Sequence, residues 1–469
     1  MWLNSVGTFL LDQKRKGFHI LSLQLDSSGL GGKDSKFKIL SPFYLLLVFI
    51  VLLIFFLLSF KINKSDASNS VIIQTDTKSN KVEVHIVIEN ELFSPLLTHY
   101  TEHLVWLNAI ARERAANRHS NAWTSNIAVG YWLSGSPDEV ADVLKTLSGV
   151  FDPINLPRVF ADQERDILLR EYEYRMIGKP DAQAARAMDA FLYSGNALAT
   201  SPIGTPEEIK ALDYEAARNL HAKTHVPENT RLLVIGNVSE DEVWDAIQES
   251  GWPATDSIEP EIAPPPFDLA APGMTTLRYP EVSVSPRLIW RRVVKLPKPI
   301  QFDLLEAQTA LLRDILNSNL PGGLAGPLRF DAAITRNFNV KIWPIDEDII
   351  EISFTAAPDT GVSLAEVQTA FQDILSKIAN NGIPRATYAR VLDRFDSFWP
   401  DWSDEDETTR WMADYALARI STLRAPLSEP KVRRLRGALS PATNKVLLTQ
   451  IAVAGRTAAA FIGPEDRFE

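Results

Sequence analysis

His99 and His103 stand four residues apart with Glu102 just before the second, in the run His-Tyr-Thr-Glu-His. On a helix, such positions project from one face, one turn apart, so two imidazoles there can grip a single ion. Neutral imidazole suits zinc, and a catalytic zinc takes three protein ligands and leaves a fourth position for water. Glu102 lies on the adjoining edge of that face. A carboxylate there can take a proton from a water that the ion has acidified from a pKa of about 15.7 towards about 7. The chain has only 7 His, so composition does not produce this pattern. A third ligand is required, and residues 164–171 offer Glu164 and Glu171 on one helix face, seven apart. One of these carboxylates can ligate while the other orients a ligand imidazole. The remaining histidines offer less. His221 and His225 are four apart but lack a carboxylate at the position of Glu102, His85 alternates within an apparent strand, and His119 sits in a polar loop.

These side chains need elements to position them. Ser94 as N-cap and Pro95 at the first helical position predict a helix that runs to about residue 114. Residues 71–74 and 82–88 read as a β-hairpin across the polar turn 76–80, and 122–133 reads as a strand or strand pair. Helices are expected over 137–150, 156–175 and 206–223, and a buried strand over 231–236. Six prolines between 253 and 272 forbid regular structure and mark a linker. Beyond it the order repeats in outline: a strand at 287–294, a helix at 304–316, a glycine-rich turn at 321–326, strands at 339–343 and 349–356, and a helix at 364–379. The expected class is α+β, with two related domains at 71–250 and 277–469 joined by the linker 251–276.

Composition narrows the function. With 45% hydrophobic and 23% charged residues the chain is a folding one, and 469 residues exceed a single ordinary core. The net charge of −11, without a long basic run, argues against nucleic acid as a partner. The absence of cysteine removes disulfides, thiolate ligands and a cysteine nucleophile. Residues 39–60 carry no charge and are long enough to cross a hydrocarbon core of about 30 Å, so they read as an uncleaved transmembrane signal anchor. Lys14, Arg15, Lys16, Lys33, Lys36 and Lys38 precede that stretch, against Lys61 and Lys64 just after it. This bias places a tail, 1–38, in the cytoplasm and, after a tether at 61–70, the bulk of the chain on the non-cytoplasmic side. In a Gram-negative bacterium that side is the periplasm.

Together these residues resemble the pitrilysin/insulinase family of zinc peptidases, whose inverted H-x-x-E-H motif matches His99-x-x-Glu102-His103. The family's helix of the form E-R-x-x-(V/I)-L-x-E is similar to 164–171, which implies Glu171 as third zinc ligand and Glu164 as its supporting carboxylate. Asn121-Ala122-Trp123-Thr124-Ser125 resembles the family's N-A-x-T-S segment beside the active-site edge strand, and 203–207 and 226–236 resemble the segment that closes the first domain. The resemblance implies two domains, each an antiparallel sheet with helices on one side, closing over a peptide or unfolded protein segment. That substrate would add as a strand to the edge near 122–131, with Asn121, Ala122 and Trp123 as contacts. Glu102 is implied as general base. Active relatives also carry an Arg and, seven residues on, a Tyr that hold the scissile carbonyl. Arg329 fits the first position, and Arg336 replaces the tyrosine. Two further departures are a shorter spacing from His103 to Glu171 and the absence of a glycine-rich loop at 91–95. Relatives of this size pair, so a homodimer or a heterodimer with a related subunit is expected. The rival expectation is an inactive relative serving as the binding or regulatory subunit of a peptidase pair.

Overall fold

The computed structural model describes residues 71–89, 94–110, 119–250, 252, 269–396, 399–453 and 455–469. In the first half, β1 (Val71–Thr75) and β2 (Val82–Glu89) precede α1 (Pro95–Val105). The strands β3 (Ser120–Thr124) and β4 (Ala128–Gly135) follow, then α2 (Val140–Ser148), α3 (Arg158–Met176) and α4 (Pro180–Leu192). The half closes with α5 (Pro206–Lys210), α6 (Tyr214–Thr224), β5 (Thr230–Gly236) and α7 (Glu240–Glu249). The second half begins with β6 (Gly273–Pro280), β7 (Arg287–Lys295), α8 (Phe302–Asn317), β8 (Thr335–Asp346) and β9 (Ile349–Pro358). Five helices and the last strand complete it: α9 (Leu364–Asn381), α10 (Arg385–Asp396), α11 (Glu405–Ile420), α12 (Glu429–Ala438), α13 (Pro441–Val453) and β10 (Arg456–Gly463).

Each half builds a five-stranded sheet, in the orders β1-β5-β2-β4-β3 and β6-β10-β7-β9-β8. Counted by position within its half, both orders are the same, so the repeat that is faint in sequence is plain in topology. Period-two alternation sets the faces. Val82, Val84, Ile86 and Ile88 of β2 point into the helix-covered core with Tyr100, Leu104, Leu144 and Leu168. The second sheet buries Trp290, Ile352 and Phe354 under Phe371 and Leu448 in the same way. Both halves belong to one compact unit.

Four expectations are corrected. β1 and β2 do not form a hairpin: β5 lies between them, parallel to β1 and antiparallel to β2. The all-apolar stretch Leu232–Val234 offers both strands a better neighbour than they offer each other. For the same reason the sheets are mixed, with β6 and β10 forming the matching parallel pair. The metal-motif helix ends at Val105 and passes into a π turn at Trp106–Ile110, whereas 111–118 lie outside the described residues. Finally, the second face of each sheet is not bare. Ala184, Met188 and Leu192 of α4 pack on Val293, Ala458 and Ile462 of the second sheet. Ala416 and Ile420 of α11 pack on Val87, Ala128 and Leu233 of the first. Each half therefore lends one helix to the other. The tail, the apolar stretch 39–60 and the tether lie outside the described residues. Among the described residues no helix is long and apolar enough to cross a membrane.

Candidate metal and catalytic site

Two helices meet at the cluster. α1 presents His99 and His103 on one face, with ring centroids 4.9 Å apart and planes nearly perpendicular. Each imidazole is fixed through Nδ1. His99 Nδ1 lies 3.0 Å from the Pro202 carbonyl oxygen, and His103 Nδ1 lies 2.9 Å from Glu164 Oε2. A ring that donates from Nδ1 carries its lone pair on Nε2. Both Nε2 atoms converge on Glu171, at 3.7 Å from Oε2 for His99 and 3.8 Å from Oε1 for His103. One donor atom from each of the three residues falls within 4.8 Å of the others.

The donor set fits zinc. Ligands at about 2.1 Å around a tetrahedral ion stand roughly 3.4 Å from one another, close to the separations found. Glu171 Oε2 is also buried without a hydrogen-bond partner among the described residues, with only the loose ion pair to Arg175 Nη2 at 3.4 Å, as suits an oxygen that ligates a cation. Glu102 flanks the cluster. Its Oε2 accepts from Thr124 Oγ1 at 3.1 Å and lies 3.9 Å from His99 Nε2. Burial pushes the Glu102 carboxyl up to about 7, against the lowering pull of His103 and Thr124. Burial also brings His99 down to about 3, aided by the neighbouring His103 charge. Burial opposes protonation of His103 too, yet the Glu164 bond and the surrounding carboxylates raise its pKa overall. A buried carboxyl group raised in this way beside two imidazoles is suited to proton transfer.

The cluster sits in a cleft of about 790 Å³, lined by Asn121, Ala122, Trp123 and Thr124 of β3 and by Trp106, Ile167, Arg175 and Ile203. Among the described residues β3 is the edge of its sheet, paired only to β4, an edge suited to pairing with an incoming strand. The Trp123 ring lies over the neighbouring strand at Gly130, where an added Cβ would come within 2.3 Å of it.

The expected site residues thus separate into two groups. His99, Glu102, His103, Glu164, Glu171, Asn121, Ala122 and Trp123 come together. Arg329 and Arg336 do not line the cleft. Arg329 is exposed on the turn Gly326–Asp331, with its guanidinium 5.4 Å from the Phe330 ring. Arg336 falls at a bulge between Thr335 and Asn337, and its Nε donates to the Pro358 carbonyl at 3.0 Å. The extra residue at the bulge turns this side chain back onto its own sheet. Sequence reasoning missed Pro202, and it named Thr124 only within the segment 121–125, without its bond to Glu102. It also missed Arg175, whose place one turn after Glu171 was readable. His221 and His225 are buried in structural roles, His221 Nε2 2.8 Å from the Val150 carbonyl oxygen and His225 Nε2 2.9 Å from the Tyr131 hydroxyl.

Comparison with known proteins bears on the fold rather than on the cluster. Residues 211–395 match the family model described as Peptidase M16 inactive domain, a segment that excludes His99, Glu102, His103 and Glu171. The chain is 21% identical over 162 residues to the mitochondrial-processing peptidase subunit beta of Dictyostelium discoideum. It is 27% identical over 168 residues to the chloroplastic stromal processing peptidase of Pisum sativum. These matches span 34% and 13% of the two relatives' lengths. In structure, a protease from Helicobacter pylori covers 84% of this chain and 97% of its own, with a TM-score of 0.65 and 16% identity. The first half of the periplasmic protease PqqL from Escherichia coli covers 85% and 91%, with a TM-score of 0.69 and 14% identity. The chain is therefore similar to the M16 peptidases, in sequence over residues 211–395 and in fold over most of its length.

Proposed function

We propose that this protein is a zinc-dependent peptidase acting on extended peptides or unfolded protein segments. The observation that carries the reading is the convergence of His99 Nε2, His103 Nε2 and the Glu171 carboxylate, with the buried Glu102 beside them. His99, His103 and Glu171 would hold the ion. When bound, it would supply Lewis-acid polarisation of the attacking water and the scissile carbonyl. The chain's own groups do the rest. Glu102, aimed by Thr124, accepts the water's proton and returns it to the leaving amine. Pro202 and Glu164 hold the two rings so that Nε2 faces inward. The free edge of β3 aligns the substrate by main-chain pairing, which favours extended chains over folded ones. Arg329 and Arg336 take no part in this scheme.

Glu102→Gln tests the assignment. Zinc content by elemental analysis should stay unchanged while hydrolysis of an unstructured peptide falls by about 10²–10⁴-fold. Cleavage at the parent rate would overturn it. A second reading, a non-catalytic subunit of a peptidase pair, draws on the absence of both arginines from the cleft. A purified chain that takes up no zinc when zinc is supplied would favour it. The proposal includes a membrane anchor at 39–60 with the catalytic portion on the non-cytoplasmic side, testable by protease accessibility in intact and opened cells.

A further inference from the structure

Arg175 belongs to two adjoining hollows. It lines the cleft of the His-Glu cluster and also a second pocket of about 490 Å³ formed with Tyr174, Lys179, Asp181 and Arg287. The charges of the second pocket are unevenly matched. Asp181 is its only acid among the described residues and is taken by Arg287, whose Nε donates to Oδ1 at 2.6 Å and whose Nη2 donates to Oδ2. Arg175 is 57% exposed and touches Glu171 loosely, with Nη2 3.4 Å from Oε2. Lys179 has no acidic partner among the described residues and lies 5.9 Å from the Tyr174 ring centroid. One cation thus lines the cleft and a second lies in the adjoining pocket, on a molecule of net charge −11. The general field of such a molecule repels acidic peptides, so a local cationic spot decides where a carboxylate can be held.

From this we propose that Arg175 and Lys179 form a subsite for a substrate carboxylate, an inference that rests on the peptidase reading. Arg175 lies four residues beyond Glu171 on α3, about 6 Å along the axis. An extended peptide advances about 3.3 Å per residue. For a peptide that runs along α3, the favoured carboxylate lies about two residues from the bond under attack. Lys179, just past the end of α3, extends the same field into the second pocket. The carboxylate is that of an acidic side chain or of the peptide's own C-terminus.

The test is peptide affinity, measured by fluorescence anisotropy on the zinc-loaded full chain carrying Glu102→Gln. One series moves a single Glu stepwise through a neutral, C-terminally amidated peptide. A second series has no Glu but ends in a free carboxylate at varied length. We expect one register in one series to bind about fivefold tighter than the neutral peptide at low salt, since each exposed charge pair is worth only a few-fold. The preference should shrink in 1 M salt. It should vanish with Lys179→Gln combined with Arg175→Gln, and turn into rejection with Lys179→Glu. The series that shows the effect identifies the source. Equal affinity at every register, or a preference that survives the double substitution, would overturn the subsite. Hydrolysis of the same peptides by the parent chain is read separately, so a failure of the peptidase reading is distinguishable from a failure of this one.

Discussion

Among the described residues Glu164 touches the cluster through His103, and its effect can be isolated. The carboxylate accepts from Nδ1 at 2.9 Å, which holds the tautomer whose Nε2 is free and makes that nitrogen more basic. Glu164→Gln keeps the shape and removes the charge. Zinc affinity, measured by competition with a chelator, should fall about 10–100-fold, with the fold unchanged by circular dichroism. At this scale the cluster was legible in part: helical spacing puts His99 with His103 and Glu164 with Glu171 on common faces, while the choice of Glu171 as ligand came from the family resemblance. The Pro202 carbonyl and the Thr124 hydroxyl were not legible. Each reaches its partner across a tertiary contact that no local pattern encodes.

Among the elements, β3 bears on function because it forms both an edge of the sheet and a wall of the cleft. Its placement depends on Gly130, the β4 residue paired with Trp123. Gly130→Ala would drive a methyl into the indole and force the ring aside. We expect a loss of about 1–3 kcal/mol in urea unfolding and a several-fold rise in KM, with kcat less affected because the metal ligands lie on α1 and α3. The strand pair at 122–133 was readable from composition, as were the helices at 137–150, 156–175, 304–316 and 364–379, whereas α4, α7 and α10 to α13 were not foreseen. The false hairpin at 71–88 shows the limit. A polar turn between two apolar runs is compatible with a hairpin, but strand pairing is decided by a third segment 150 or so residues away, here β5.

For the molecule as a whole, two buried ionic groups accompany the exchanged helices. Arg291 of β7 donates to Glu351 of β9 at 2.5 and 3.0 Å and to Asp189 of α4 at 2.7 Å, while the Tyr193 hydroxyl also donates to Glu351. Glu351 is fully buried, so Arg291→Met leaves its charge uncompensated and should cost about 3–5 kcal/mol. Adding Glu351→Leu should recover most of that, as read by urea titration. At the other exchange, Arg419 of α11 and Lys431 of α12 bind Asp303 of α8 at 2.8 and 2.7 Å. Burial works to raise the Asp303 carboxyl, but these two cations prevail and hold it down to about 2. The unfolded value is about 3.9, so this stabilisation is complete above that pH and is lost as pH falls through about 2. Asp303→Asn should therefore destabilise by about 2 kcal/mol at pH 7, and by progressively less below pH 4.

The reciprocal helices carry a consequence for the covalent chain itself. Neither 71–250 nor 269–469 can satisfy its own sheet, because each holds a piece that only the other needs. Expressed separately, each portion would leave an apolar sheet face open to water and would aggregate. Mixed from the start, the two should find one another and rebuild the cleft, with peptide-bond continuity between 250 and 269 dispensable. In that respect the polypeptide behaves as an obligate pair of chains that happen to be translated as one.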